Sequence, residues 1–179
     1  MPWAATRATW LAAASLVITS VVACGSSSPD HERHDRAAAV YASIIRWFAE
    51  ADETDPDPLA VFVEPRGEGT EIALEVQAQV VSAVRGVADV RFVDTRDESL
   101  VRNEGESASV VDDGSLIRLG PVNDSTAGRD GVVVVVDVDV YDGRVDGDGE
   151  PRFSTLEFVL VADEERWEVT GTPEELRPD

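Results

Sequence analysis

Side-chain chemistry needs nucleophiles, bases or metal ligands. This chain of 179 residues offers few of them: one cysteine, Cys24, two histidines, His31 and His34, and no lysine. Without lysine, a Schiff-base mechanism and a phosphate-loop lysine are both excluded. With one cysteine there is no disulfide within the chain, so stability has to come from a packed core. His31 and His34 stand three residues apart, a spacing that on a helix places two imidazoles on one face of a metal site. No third ligand is identifiable beside them, and their polar surroundings read as a solvated linker.

The remaining candidates are carboxylates, and 36 acidic residues make any chosen pair uninformative. The densest group follows the valine-rich run: Asp137, Asp139, Asp142, Asp146, Asp148 and Glu150. Calcium takes six to eight oxygens, and Asp146, Asp148 and Glu150, with Glu157, fall at the first, third, fifth and twelfth positions of a helix-loop-helix calcium loop. Pro151 occupies the sixth position, where a sharp turn needs glycine, and Glu157 falls inside an expected strand. The reading is therefore a solvated connection, with Asp137 and Asp139 paired to arginines such as Arg118 or Arg152. Asp146, Asp148 and Glu150 are the metal candidates if any exist, and no cofactor is expected. An enzyme would have to be a small carboxylate-based one, and the expectation is that the protein is not an enzyme.

Arg7 is the single charge before Cys24, and the apolar run from Trp10 to Ala23 ends in small residues, the order of a secretory signal. About fourteen helical residues reach roughly 21 Å, short of a hydrocarbon core of roughly 30 Å, so the run is too short to span a membrane. Val21-Val22-Ala23-Cys24 resembles the lipobox of bacterial lipoproteins, with valine where leucine is usual. The resemblance implies acylation of the Cys24 sulfur, cleavage before it, and a protein held by two or three acyl chains on the extracytoplasmic face of the cell membrane. Cleavage there would leave 14 arginines against 36 acidic residues, a formal charge of −22. Such a surface repels nucleic acid and anionic headgroups, so the membrane partner is reached through the anchor and nucleic acid is not a partner.

The elements follow in order. Residues 1–23 are read as signal peptide, 24–34 as lipidated cysteine and flexible tether, 35–172 as one domain and 173–179 as a frayed tail. Helical spacing of Val40, Ile44, Trp47 and Phe48 predicts an amphipathic helix from Asp35 to Glu50, and Asp52 to Pro58 a loop. The apolar run Leu59–Val63 predicts a buried strand. Ile72, Val76, Val80 and Val84 predict a helix, with Thr70 a possible cap and Gly86 its stop, and Val90–Val93 predicts a second strand, together a βαβ unit. Thr95 to Glu98 fits a capping box, Asp112-Asp113-Gly114 a hairpin turn between Val110-Val111 and Leu116–Leu119, and Gly120 to Gly131 a polar loop. Val132 to Tyr141 puts five valines on one face, and its other face turns from apolar to acidic, so a cover is expected on half of it. Phe153–Val161, the turn Asp163-Glu164-Glu165 and Arg166–Thr170 make a closing hairpin, with Trp167 and Val169 inward.

That hairpin resembles the end of nuclear transport factor 2-like domains, cone-shaped α+β units that often serve as ligand pockets or interaction modules. The fold class expected is α+β, with two main helices packed on a mixed, largely antiparallel sheet containing one βαβ unit. The function expected is a lipid-anchored binding or interaction module of the cell envelope, with its protein or small-molecule partner unspecified.

Overall fold

The computed structural model describes residues 28–51, 58–67, 70–102, 107–125, 132–163 and 166–176. Helix α1 (Pro29–Ala51) begins earlier than its apolar spacing suggests, because a complete start signal lies upstream. The Ser28 hydroxyl accepts the His31 backbone N–H at 3.3 Å, proline takes the first helical position, and Asp30 and Glu32 face the positive end of the helix dipole. The tether expected over 24–34 is thus helix from Pro29 onward. Cys24 and the expected signal lie outside the described residues. Val40, Ile44 and Ile45 on α1 are fully buried.

Strand β1 (Leu59–Pro65), helix α2 (Leu74–Ala83) and strand β2 (Ala88–Phe92) form the expected βαβ unit, with β1 and β2 parallel neighbours from Leu59 opposite Ala88 to Val63 opposite Phe92. Val76, Val80 and Val84 bury one side of α2 against α1 and the sheet. Thr70 does not cap α2. Its hydroxyl donates instead within its own turn, in reach of the Arg66 carbonyl at 2.8 Å and the Gly67 carbonyl at 2.7 Å.

After β2 the chain crosses to the other face of the sheet. A 3-10 turn (Arg96–Glu98) is followed by β3 (Leu100–Arg102) and β4 (Ala108–Val110), which pair with each other as a separate ribbon. The Thr95 hydroxyl meets the Glu98 carboxylate at 3.0 Å, without the hydroxyl-to-backbone bond of a capping box. Strand β5 (Ser115–Leu119) then enters the main sheet parallel to β1.

The hairpin expected across Asp112-Asp113-Gly114 is therefore not made, since β4 pairs with β3 and β5 with β1. The positive φ values fall on Asp112 at 57° and Asp113 at 50°, not on the glycine. Gly114 is needed for proximity: a Cβ there would lie 2.4 Å from the Ala60 carbonyl oxygen of β1.

Strand β6 (Asn123–Ser125) occupies part of the expected polar loop and pairs with β7 (Val133–Val145), which pairs in turn with β8 (Pro151–Asp163). Both long strands are thirteen residues. They are joined by a hydrogen-bonded turn in which the Asp146 backbone N–H donates to the Glu150 carbonyl at 2.8 Å. Strand β9 (Arg166–Val169) pairs with one part of β8, and β10 (Glu174–Leu176) with another. The tail expected from Pro173 is thus tied into the sheet as far as Leu176.

The strand order is β10-β8-β7-β5-β1-β2, with β6 and β9 paired beside it. The architecture is α+β: two helices on one face of a mixed, largely antiparallel sheet with one βαβ unit. Val134, Val136 and Val138 of β7 are fully buried under the helices with Phe158 and Leu160 of β8. Trp47 meets Phe158 edge-on at 5.3 Å and Phe48 lies 5.6 Å from it, confirming both as core anchors. Each such pair adds about 0.5–1.5 kcal/mol beyond its buried area. A smaller cluster of Ala60, Phe62, Val93 and Leu116 fills the opposite face under the β3–β4 ribbon. The cover expected on half of the other face of β7 lies at its far end, on Tyr141 beside Phe153, and Val133 and Val135 at the apolar start are only half-buried.

Candidate functional site

Two adjacent parallel strands whose exit loops leave toward opposite faces necessarily open a crevice at their carboxyl ends. Here the loop after β1 leads to α2 on the helical face, and the loop after β2 leads to the 3-10 turn and the β3–β4 ribbon on the other. A cleft lies at that divergence, in two adjoining lobes of about 440 and 460 Å³ that share Pro65, Thr70 and Asp94. This is the size range of small-molecule sites. The first lobe is polar, with Glu64, Thr95 and Arg96 in its wall. The second is more apolar, with Val63, Ile72, Leu74 and Phe92. Leu74 stands 80% exposed at its rim.

Glu64 is the unusual residue. It shares a strand face with Ala60 and Phe62, so the pleat that buries those two also buries its carboxylate, leaving the side chain only 10% exposed. Its Oε2 accepts from Arg118 Nε at 2.9 Å and lies 3.6 Å from Arg96 Nε. Its Oε1 is buried and has no hydrogen-bond partner, and the same is true of Arg118 Nη2, whose guanidinium stacks 3.8 Å from the centre of the Phe153 ring. The unmet acceptor and the unmet donor belong to one ion pair, joined by a single hydrogen bond where a bidentate fork has two. Arg96 also reaches Glu150, at 2.9 Å through Nη1. Asp94, exposed at the junction of the lobes, makes no hydrogen bond or ion pair to the described residues.

Beside the cleft, Arg66 Nη1 donates to Asp137 at 2.7 Å and Arg66 Nε lies 3.1 Å from the Asp139 carboxylate. Thr155 donates to Asp139 Oδ1 at 2.8 Å. Burial acts to lower the Arg66 pKa, but hydrogen bonds and charge from the two aspartates outweigh it, so the net shift is upward. The aspartates are arginine-paired as expected, but by Arg66. Arg118 does stand opposite Asp139 in the β5–β7 register, yet its guanidinium turns to Glu64, while Arg152 lies 3.9 Å from Asp142.

The other sequence candidates are engaged locally. Asp146 Oδ1 accepts the backbone N–H groups of Asp148 and Glu150, each at 2.9 Å, which makes Asp146 the organiser of the β7–β8 turn. Glu150 faces Arg96, and Glu157 lies within β8. His31 and His34 gain the third partner that was not identifiable in sequence. Their Nδ1 atoms lie 2.9 and 3.2 Å from the two oxygens of Glu75 on α2, and Asp35 accepts from Gln79 at 2.8 Å. Among the described residues, no group of three or more His, Cys, Asp or Glu side chains could hold a metal ion.

This histidine–glutamate clasp of exposed side chains marks where the first turns of α1 lie beside the start of α2, so Ser28, the start of α2 and the cleft lie at one pole. A smaller groove of about 280 Å³, walled by Arg33, His34 and Ala37, shares Glu71, Ile72 and Ala73 with the apolar lobe. No described helix is long and apolar enough to cross a membrane. No family model, curated protein or solved structure matches this chain.

Proposed function

We propose that the protein is a lipid-anchored binding module of the cell envelope, fixed to the extracytoplasmic face of the membrane by Cys24 and taking its ligand in the cleft at the carboxyl ends of β1 and β2. The anchor is supported by the sequence from Arg7 to Cys24. The observation that carries the binding role is the divergent-loop cleft at the carboxyl ends of β1 and β2, with Glu64 and Arg96 in its polar wall. The crevice outside the carboxyl ends of parallel strands is the general position of a ligand site in sheets of this kind.

One experiment addresses both halves. Native mass spectrometry of the full chain released in detergent should show a diacylglyceryl mass on Cys24, lost in Cys24→Ala. It should also show a small molecule retained by the wild type and absent from Asp94→Trp, which fills the cleft from an exposed position. An unmodified mature Cys24 overturns the anchor, and retention unaffected by Asp94→Trp overturns the cleft as the binding site.

A further inference from the structure

Helix α2 is apolar on two sides. Val76, Val80 and Val84 are buried against α1 and the sheet, and on the face turned away from them Leu74, Ala78 and Val81 recur at i, i+4 and i+7. All three are exposed, Leu74 by 80% and Val81 by 38%. The outer face of a helix covered on one side ordinarily carries charge. Charged residues make up 28% of this chain, yet Val76–Val84 holds none of them. Glu75 is turned to His31 and His34, and the other charges of this face stand at its two ends. Glu71 precedes the helix and Arg85 follows it, both exposed and both without a hydrogen bond or ion pair to the described residues.

We infer that this face docks a second copy of the chain, α2 against α2 in antiparallel sense about a two-fold axis near Ala78. The occupant follows from the charges. With a formal charge of −21, two copies repel one another over most of their surfaces, and a contact between them needs a stretch free of carboxylates. A cationic partner, which the acidic surface attracts elsewhere, has no carboxylate to meet along Val76–Val84. A two-fold contact must also be self-complementary. Opposing the helices sets Leu74 of one copy against Val81 and Ser82 of the other, lets the small Ala78 side chains bring the axes close, and places Arg85 of each copy at the Glu71 end of the other. A parallel pair would set Arg85 against Arg85. The ten residues of α2 span about 15 Å, so the buried area falls well below the roughly 800 Å² per partner of a standard interface, and the contact is a transient one. It needs neither the lipid nor a ligand in the cleft.

The test is disulfide trapping on the full chain in a non-ionic detergent, with Ala78→Cys on the axis and Val132→Cys, 54% exposed beside β7, as the proximity control. Under mild oxidation Ala78→Cys should give about tenfold more covalent dimer than Val132→Cys or the wild type, whose single cysteine is Cys24. Leu74→Glu places an acid at a helix start, where the fold tolerates it, and Arg85→Glu changes an exposed site. Each should lower the Ala78→Cys dimer about tenfold with an unchanged melting temperature. Adding Glu71→Arg to Arg85→Glu re-forms the pair with its charges exchanged and should restore trapping. Trapping no greater than in Val132→Cys, or indifferent to Leu74→Glu, overturns the self-contact, and capture of a different protein at Ala78→Cys does not rescue it. An Arg85→Glu variant that traps as well as before, or that Glu71→Arg fails to restore, overturns the antiparallel arrangement.

Discussion

At the scale of single residues, most buried polar side chains among the described residues are held by identifiable partners, and the exceptions are Arg36 Nε on α1 and the two facing halves of the Glu64–Arg118 pair. Tyr41 is a satisfied case: its hydroxyl donates to the Gly120 carbonyl at 2.9 Å from a buried position on α1. Burial raises its pKa above the ordinary value of 10.0. The unfolded chain therefore ionises this tyrosine first, so its stabilising protonated form is fully kept below about pH 10 and lost as pH rises toward the higher folded value. Chemical denaturation from pH 8 to 11 should show stability falling above about pH 10, and Tyr41→Phe should flatten that fall. The same variant should cost about 1 kcal/mol at neutral pH through the lost hydrogen bond. An unchanged alkaline slope in Tyr41→Phe would remove Tyr41 as its source. Glu64, by contrast, is legible in sequence only as the polar residue closing an apolar run. Its burial follows from the pleat, but its unmet oxygen depends on where Arg118 and Arg96 turn, which no local pattern encodes.

At the scale of elements, legibility follows the strength of local periodicity. The βαβ unit, the valine strand and the closing hairpin could be read because long apolar patterns demand one face each. β3, β4, β6 and β10 could not, because three residues carry no period and β10, Glu174-Glu175-Leu176, has no strand-like composition. β10 is a strand because β8 offers it backbone partners. The early start of α1 was missed, because Ser28-Pro29-Asp30, a helix start signal ahead of the first apolar repeat, was read as part of a flexible tether. Removing the cap should therefore be felt locally. Ser28→Ala is expected to cost about 1 kcal/mol at most and to speed amide exchange in the first turn of α1 while leaving the core unchanged. Exchange that is unaltered there would mean that the clasp to Glu75 alone holds the helix end.

At the scale of the whole molecule, a formal charge of −21 sets the mean field in which every local pair operates. Arginine pairs such as Arg91 with Asp89 and Asp112 are exposed and individually weak, whereas repulsion among the excess carboxylates is distributed over the entire surface. Raising sodium chloride from about 10 to 150 mM shortens the Debye length from roughly 30 to 8 Å, so the melting temperature should rise. A fall would mean that the ion pairs outweigh the repulsion. The shared pole of Ser28 and the cleft has a further consequence once Cys24 is acylated. Five residues, 24–28, span at most roughly 17 Å, so an anchor at Cys24 would hold the cleft in the interfacial water layer of the membrane and out of the bulk compartment. For an anchored chain, occupancy of the cleft would follow the concentration of ligand at the interface, and an affinity measured on chains in detergent would leave that concentration out.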